Sequence, residues 1–160
     1  MTPDECNEAL RANLAESIQQ ALDLRKLLAE EREALARQDA QSLSDTAVRK
    51  RLCISKLEDL DKSRTDISTA RGFGKSPDDI AGLVRACDDE PTLSDSWQKF
   101  LDVARECSEI NAGNGAIIHV RQEQIKGAIS LLRAGSTDSS TYGPNGREWD
   151  DSQTRSLAEA

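Results

Sequence analysis

LSDSWQKFLDVARECSEINAGNGAIIHVRQEQIKGAISLL, residues 93–132, decides the fold class. Within it Leu93, Trp97, Phe100, Ala104, Cys107, Asn111, Asn114, Ile118, Arg121, Ile125, Ala128 and Leu132 alternate steps of four and three. A strand buries every second residue. A row at a mean step of 3.5 keeps to one face only in a helix, and over five repeats it reads as a coiled-coil seam. Leu101, Ile110, Ile117 and Ile129 flank the row and widen its apolar face. At 1.5 Å per residue the helix, from Thr92 to about Gly135, is ~60 Å long.

Working outward, Asp88-Asp89-Glu90-Pro91 breaks the chain before this helix. Ser76-Pro77-Asp78-Asp79 is a start signal for a short helix through Cys87, carrying Ile80, Leu83 and Val84. Arg71-Gly72-Phe73-Gly74 ends a longer helix of about Leu43–Ala70, with the stripe Leu43, Ala47, Cys53, Ile54, Leu57, Leu60 and Ile67. Arg49, Lys50, Glu58 and Asp61 are expected on its solvated face. The first helix opens at Thr2-Pro3-Asp4-Glu5, a capping box with proline at the first helical position. Leu10, Leu14, Ile18, Ala21, Leu24, Leu28 and Leu35 then share a face to about Arg37. The expected fold is all-α: an elongated antiparallel helical bundle or coiled coil with long first, second and last helices and a short third. Its domain is residues 1–135. Residues 136–160, rich in Ser, Thr, Asp and Gly, read as a flexible C-terminal tail that nevertheless holds Tyr142 and Trp149.

The composition excludes several functions. Aromatics are 3% of the 160 residues, too few for an aromatic-rich globular core. A net charge of −8 opposes nonspecific binding to phosphate backbones or anionic lipid. No apolar run approaches the ~18 residues of a spanning helix, and the acidic start lacks a signal-peptide layout, so no membrane insertion and a cytoplasmic location are expected. Cys6, Cys53, Cys87 and Cys107 lie far apart, each in or beside a helical stripe, and are expected as reduced small hydrophobes without metal or disulfide. Gly74-Lys75-Ser76 looks like the end of a phosphate loop, but Thr69 stands where that pattern needs its first glycine, and a helix precedes it. A di-metal carboxylate bundle needs Glu-x-x-His, and Ala116 precedes the lone His119 by three. No catalytic group, metal or cofactor is expected.

Asn111-Ala-Gly-Asn114-Gly115 is the odd stretch of the seam. Two asparagines at seam positions specify register at a cost in stability, and Gly113 and Gly115 allow close helix approach. The alternative is a helix kept marginal so that a partner can repack it.

Three pieces carry a resemblance. They are Glu31-Arg-Glu-Ala-Leu35 with Asp39, Leu43, Lys50-Arg-Leu52, Leu57 and Leu60; Asn111-Ala-Gly-Asn114-Gly115 with Ile117, Ile118 and Leu131-Leu132; and Tyr142-Gly143-Pro144-Asn145-Gly146. In these the chain resembles the FlgN family of flagellar type III export chaperones, over residues 10–147. The resemblance implies a nonenzymatic cytoplasmic chaperone that binds hook-associated proteins one and three, the hook–filament junction proteins. It keeps them unpolymerised and delivers them to the export gate. It also implies substrate recognition through helical C-terminal segments, using the C-terminal half of the chaperone, and contact with the gate's cytoplasmic domain and export ATPase-associated components. The expected substrate contacts are Asn111, Asn114, Gly115, Ile117, Ile118, Ile125, Ile129 and Leu132. Tyr142, Gly143 and Trp149 are expected to dock the export machinery. The alternative function is a structural coiled coil self-associating through residues 93–134.

Overall fold

The computed structural model describes residues 2–88 and 91–138. They form four helices, α1 (Pro3–Arg37), α2 (Ala40–Ala70), α3 (Pro77–Ala86) and α4 (Thr92–Asp138), with no strand among them. The all-α class and the long-long-short-long order are as expected. The chain divides into two units, Met1–Ile118 and His119–Ala160.

Local chemistry sets the helix ends of the first unit. Thr2 Oγ1 accepts from the Glu5 amide at 3.2 Å while the Glu5 carboxylate accepts from the Thr2 amide at 2.7 Å. Gln38, at φ 56° in the left-handed region, closes α1, and the Asp39 carboxylate accepts from the Ser42 amide at 3.0 Å. The turn is therefore nearly immediate, and α2 begins three residues before the expected Leu43. Gly72, at φ 79°, turns the chain after α2. Ser76 and Asp79 form the second capping box, at the head of α3. The Asp88 carboxylate caps α4 by accepting from the Leu93 and Ser94 amides at 3.0 and 2.9 Å.

Contacts across the unit give the topology. Asn13 reaches Leu60 and Glu31 reaches Lys50, so α2 runs antiparallel to α1. Cys107 reaches Ala21 and Asn114 reaches Leu28, so α4 runs parallel to α1. The core is layered along this up-down-up arrangement. Cys6, Leu10, Leu14, Ile67, Ile80, Leu83, Val84, Cys87 and Leu93 form one apolar cluster, which α3 closes. Ala21, Leu28, Val103 and Cys107 form the second.

Two polar layers punctuate these clusters. Arg64 is 2% exposed. It donates to Asn13 Oδ1 at 2.8 Å, Ser17 Oγ at 3.2 Å and Asp61 Oδ1 at 3.1 Å, and lies 5.2 and 5.0 Å from the Trp97 and Phe100 ring centres. Burial works against its charge, and the Asp61 carboxylate restores part of it. In the second layer Lys50 Nζ donates to buried Glu31 at 2.8 Å. Lys50 therefore faces inward, not onto the solvated side of its helix. The inner row of α2 is Leu43, Thr46, Lys50, Cys53, Leu57, Leu60, Arg64 and Ile67, while Ile54 is exposed. Two long cations occupy stripe positions because α1 presents Asn13, Ser17 and Glu31 opposite them.

Candidate functional site

Of the expected substrate contacts, Asn111, Asn114, Gly115, Ile117 and Ile118 belong to the first unit and Ile125, Ile129 and Leu132 to the second. In the first unit the inward row of α4 continues from Cys107 through Ile110, Asn114 and Ile117. Asn111 and Ile118, expected in the seam, are exposed. Because both rows share Cys107 and Asn114, the buried face turns by only about half of the ~100° that separates adjacent residues. Ile110 packs against the Ala21–Leu28 cluster, and burying its side chain is favoured over burying an amide.

Asn114 is 1% exposed. Its Nδ2 donates to the Leu28 carbonyl at 2.9 Å and to Glu31 Oε2 at 2.8 Å; its Oδ1 accepts from Arg32 Nε at 3.0 Å. Both amide donors and one of the two acceptor directions are thus occupied within the bundle. That is the geometry of a register-setting residue. It takes Asn114 off the surface, where a substrate contact would have to be. Asn111, three residues earlier, lies outside and accepts from Lys50 Nζ at 3.5 Å. Gly113 faces the Arg32 guanidinium so closely that a Cβ would collide with it. Gly115 faces open space. The Arg32 guanidinium is the far end of a flexible side chain, so neither glycine marks a close approach of helix backbones.

In the second unit all described positions from His119 to Ser136 are exposed except half-buried Arg121. Ile125 is 60% and Leu132 74% exposed, and Ile129, Val120 and Leu131 are exposed as well. Ile118, Ile125 and Leu132 recur at seven residues, and Ile129 joins them at four from Ile125, so they share one stripe of α4. Val120 and Leu131, eleven apart, share a different face of α4, roughly 120–140° around the helix from Ile125. Val48 and Leu52 form a smaller exposed apolar spot on α2.

α4 stays helical to Asp138, so residues 136–138, expected in the tail, continue the helix. Tyr142, Gly143 and Trp149 lie outside the described residues. Among the described residues no His, Cys, Asp and Glu grouping has the composition of a metal site, and no helix is long and apolar enough to cross a membrane. Cys6 and Cys87 are buried with their sulfurs 2.9 Å apart. Burial, and then the neighbouring Cys87 thiol, push the Cys6 pKa up to about 11, which makes it a poor nucleophile at neutral pH.

Contiguous exposed apolar side chains, as on α4, mark interaction surfaces in soluble proteins. The family model for FlgN protein matches residues 1–148. The chain belongs to the FlgN family. FlgN proteins are flagellar export chaperones of the type III pathway, a chaperone family and not an enzyme family. No curated protein and no solved structure matches the chain. In FlgN terms, Asn114 closes the bundle, while Ile118, Ile125, Ile129 and Leu132 form the bare stripe.

Proposed function

We propose that this FlgN-family chain works in the cytoplasm, binding hook-associated proteins one and three through their helical C-terminal segments. It holds them unpolymerised and delivers them to the flagellar export gate. The observation that carries the reading is the stripe Ile118, Ile125, Ile129 and Leu132, exposed in a soluble-type charged helix and continued at its start by half-buried Ile117. Exposed apolar side chains at helical spacing suit helix-in-groove recognition, in which a partner's apolar face supplies the missing neighbours. Asn111 and Gly115 border the start of this face; Asn114 supports it from within the bundle. Residues 136–160 form a separable docking segment in this proposal. Tyr142, Gly143 and Trp149 contact the gate's cytoplasmic domain and export ATPase-associated components.

The test is calorimetric titration of the full chain with the C-terminal segment of a hook-associated protein. Ile125→Asp and Ile129→Asp should abolish binding and leave helicity unchanged, because both side chains are already in water. Undiminished binding by both variants would move the site elsewhere. The same exposed stripe favours one second reading, self-association. Residues 93–117 are largely spent inside the bundle, so a dimer would have to form through residues 118–132. Sedimentation equilibrium of the chain alone decides between a monomer and a dimer that Ile125→Asp dissociates.

A further inference from the structure

Cys6 and Cys87 play no part in the docking face. Cys6 lies near the start of α1, and Cys87, 81 residues on, caps the C-terminal end of α3. Both are free thiols buried in the cluster with Leu10, Leu83, Val84 and Leu93, and their sulfurs are 2.9 Å apart. A second contact ties the same two segments. Asn7 Nδ2, next to Cys6 in sequence, donates to the Cys87 carbonyl, and Arg11 Nε donates to Asn7 Oδ1, which fixes the direction of the amide. The other two cysteines are placed differently. Cys107 donates to the Ala21 carbonyl at 3.3 Å in the second cluster, and half-buried Cys53 lies on α2.

We propose that Cys6 and Cys87 are an oxidant-operated staple: a hydroperoxide converts the dithiol to a disulfide that ties α1 to α3. In a compartment kept reduced by glutathione the dithiol is the resting form. Burial shields both sulfurs, so the reaction waits for local opening at the start of α1 or the end of α3, where helices fray most readily. One sulfur then attacks the O–O bond of the peroxide. It takes one oxygen as a sulfenic acid, and water leaves, or an alcohol from an alkyl hydroperoxide. The second sulfur attacks the sulfenic sulfur. The S–S bond forms, the S–O bond breaks, and the hydroxyl leaves as water with the second thiol's proton. The two sulfurs give up two electrons, and the peroxide accepts them. The sulfurs close from 2.9 Å to the ~2.05 Å of a disulfide within a contact that Asn7 already holds. The loop so closed contains most of α1 and all of α2 and α3. Joining residues 81 apart removes much freedom from the unfolded chain, so the oxidised form is the more stable one. The chaperone then resists unfolding while peroxide is present and returns to the dithiol when a thiol reduces it.

The test treats the full, reduced chain with hydrogen peroxide at neutral pH, once in buffer and once in urea just below the unfolding midpoint, where opening is frequent. Proteolysis and mass spectrometry should then find Cys6 and Cys87 in one linked peptide, about 2 Da lighter than the two separate peptides. The oxidised chain should melt about 10 °C higher than the reduced one, and dithiothreitol should reverse the shift. Cys53→Ser/Cys107→Ala keeps only the pair and should give the same linked peptide and the same rise. Cys6→Ala/Cys87→Ala should give neither. Free thiols at both positions in the urea arm overturn the staple, as does sulfinic or sulfonic acid there in place of the linked peptide. Linkage of either cysteine to Cys53, Cys107 or a second copy overturns it equally. An equal rise in Cys6→Ala/Cys87→Ala would assign the shift to oxidation elsewhere and overturn the stabilising role.

Discussion

Asn114→Ala separates bundle architecture from substrate contact. The substitution removes three hydrogen bonds of different weight. Arg32 Nε, on an exposed side chain, turns to water at little cost, and the Leu28 carbonyl keeps its place in the helix. Glu31 Oε2 is the costly partner, because Glu31 is 6% exposed and loses a donor at 2.8 Å. A hydrogen bond to a buried charged group is worth about 1.5–3 kcal/mol, and the small void left by the amide adds to this. Asn114→Ala should therefore lose about 2–3 kcal/mol of stability in urea denaturation followed by circular dichroism. Asn111→Ala, three residues away and in water, should change stability by less than about 0.5 kcal/mol. A double-mutant cycle with Glu31→Gln should show coupling, since the two share one bond. At temperatures where Asn114→Ala stays folded, substrate affinity should match wild type. A variant of unchanged stability that no longer binds substrate would refute the reasoning and make Asn114 a contact residue.

Other outcomes follow from the same contacts. Arg64→Met should retain or raise stability, because an apolar side chain of similar length replaces a buried cation with an unpartnered Nε, whereas Arg64→Ala should lose about 3 kcal/mol or more to the cavity under Trp97 and Phe100. Urea midpoints of the two variants check this. Asp39→Ala should lower the thermal midpoint at pH 7. Its bonds to Ser42 hold the Asp39 pKa below the usual carboxylate value, so the cap is intact above that value and lost as the pH falls through the lowered one; the two melting curves should converge in acid. Cys6 works in the opposite direction. With its pKa raised from 9.0 to about 11, the folded state keeps a neutral thiol that the unfolded chain ionises, so stability should fall between pH 9 and 11, and Cys6→Ala should flatten that decline.

The readable part of the fold was its punctuation. Thr2 with Glu5, and Ser76 with Asp79, are capping boxes in the sequence and in the structure, because each acts within one helical turn. The start of α2 was less clear, since the link at Gln38 uses a left-handed residue that is not glycine and so carries no composition signal. Lys50 and Arg64 lie inside for a reason that the sequence does not display. A cation interrupting an apolar row looks like an exposed residue until its partners on another helix are known. Even so, Leu57, Leu60, Arg64 and Ile67 keep the four-three rhythm that would have placed Arg64 inside.

The sequence by itself determined the four helices of the described residues, the capping boxes of α1 and α3, the absence of recognisable catalytic spacing, the family and the apolar stripe of residues 118–132. These follow from interactions within a few residues or from a period repeated many times. Only the tertiary structure decided whether Ile110 and Ile117, or Asn111 and Ile118, turn inward. It likewise decided that Asn114, Glu31 and Lys50 form one buried layer. The two rows share Cys107 and Asn114 and differ only in which of two adjacent residues, ~100° apart, alternates with them. The choice between them depends on where α1 places Leu28 and Glu31, about eighty residues away in sequence.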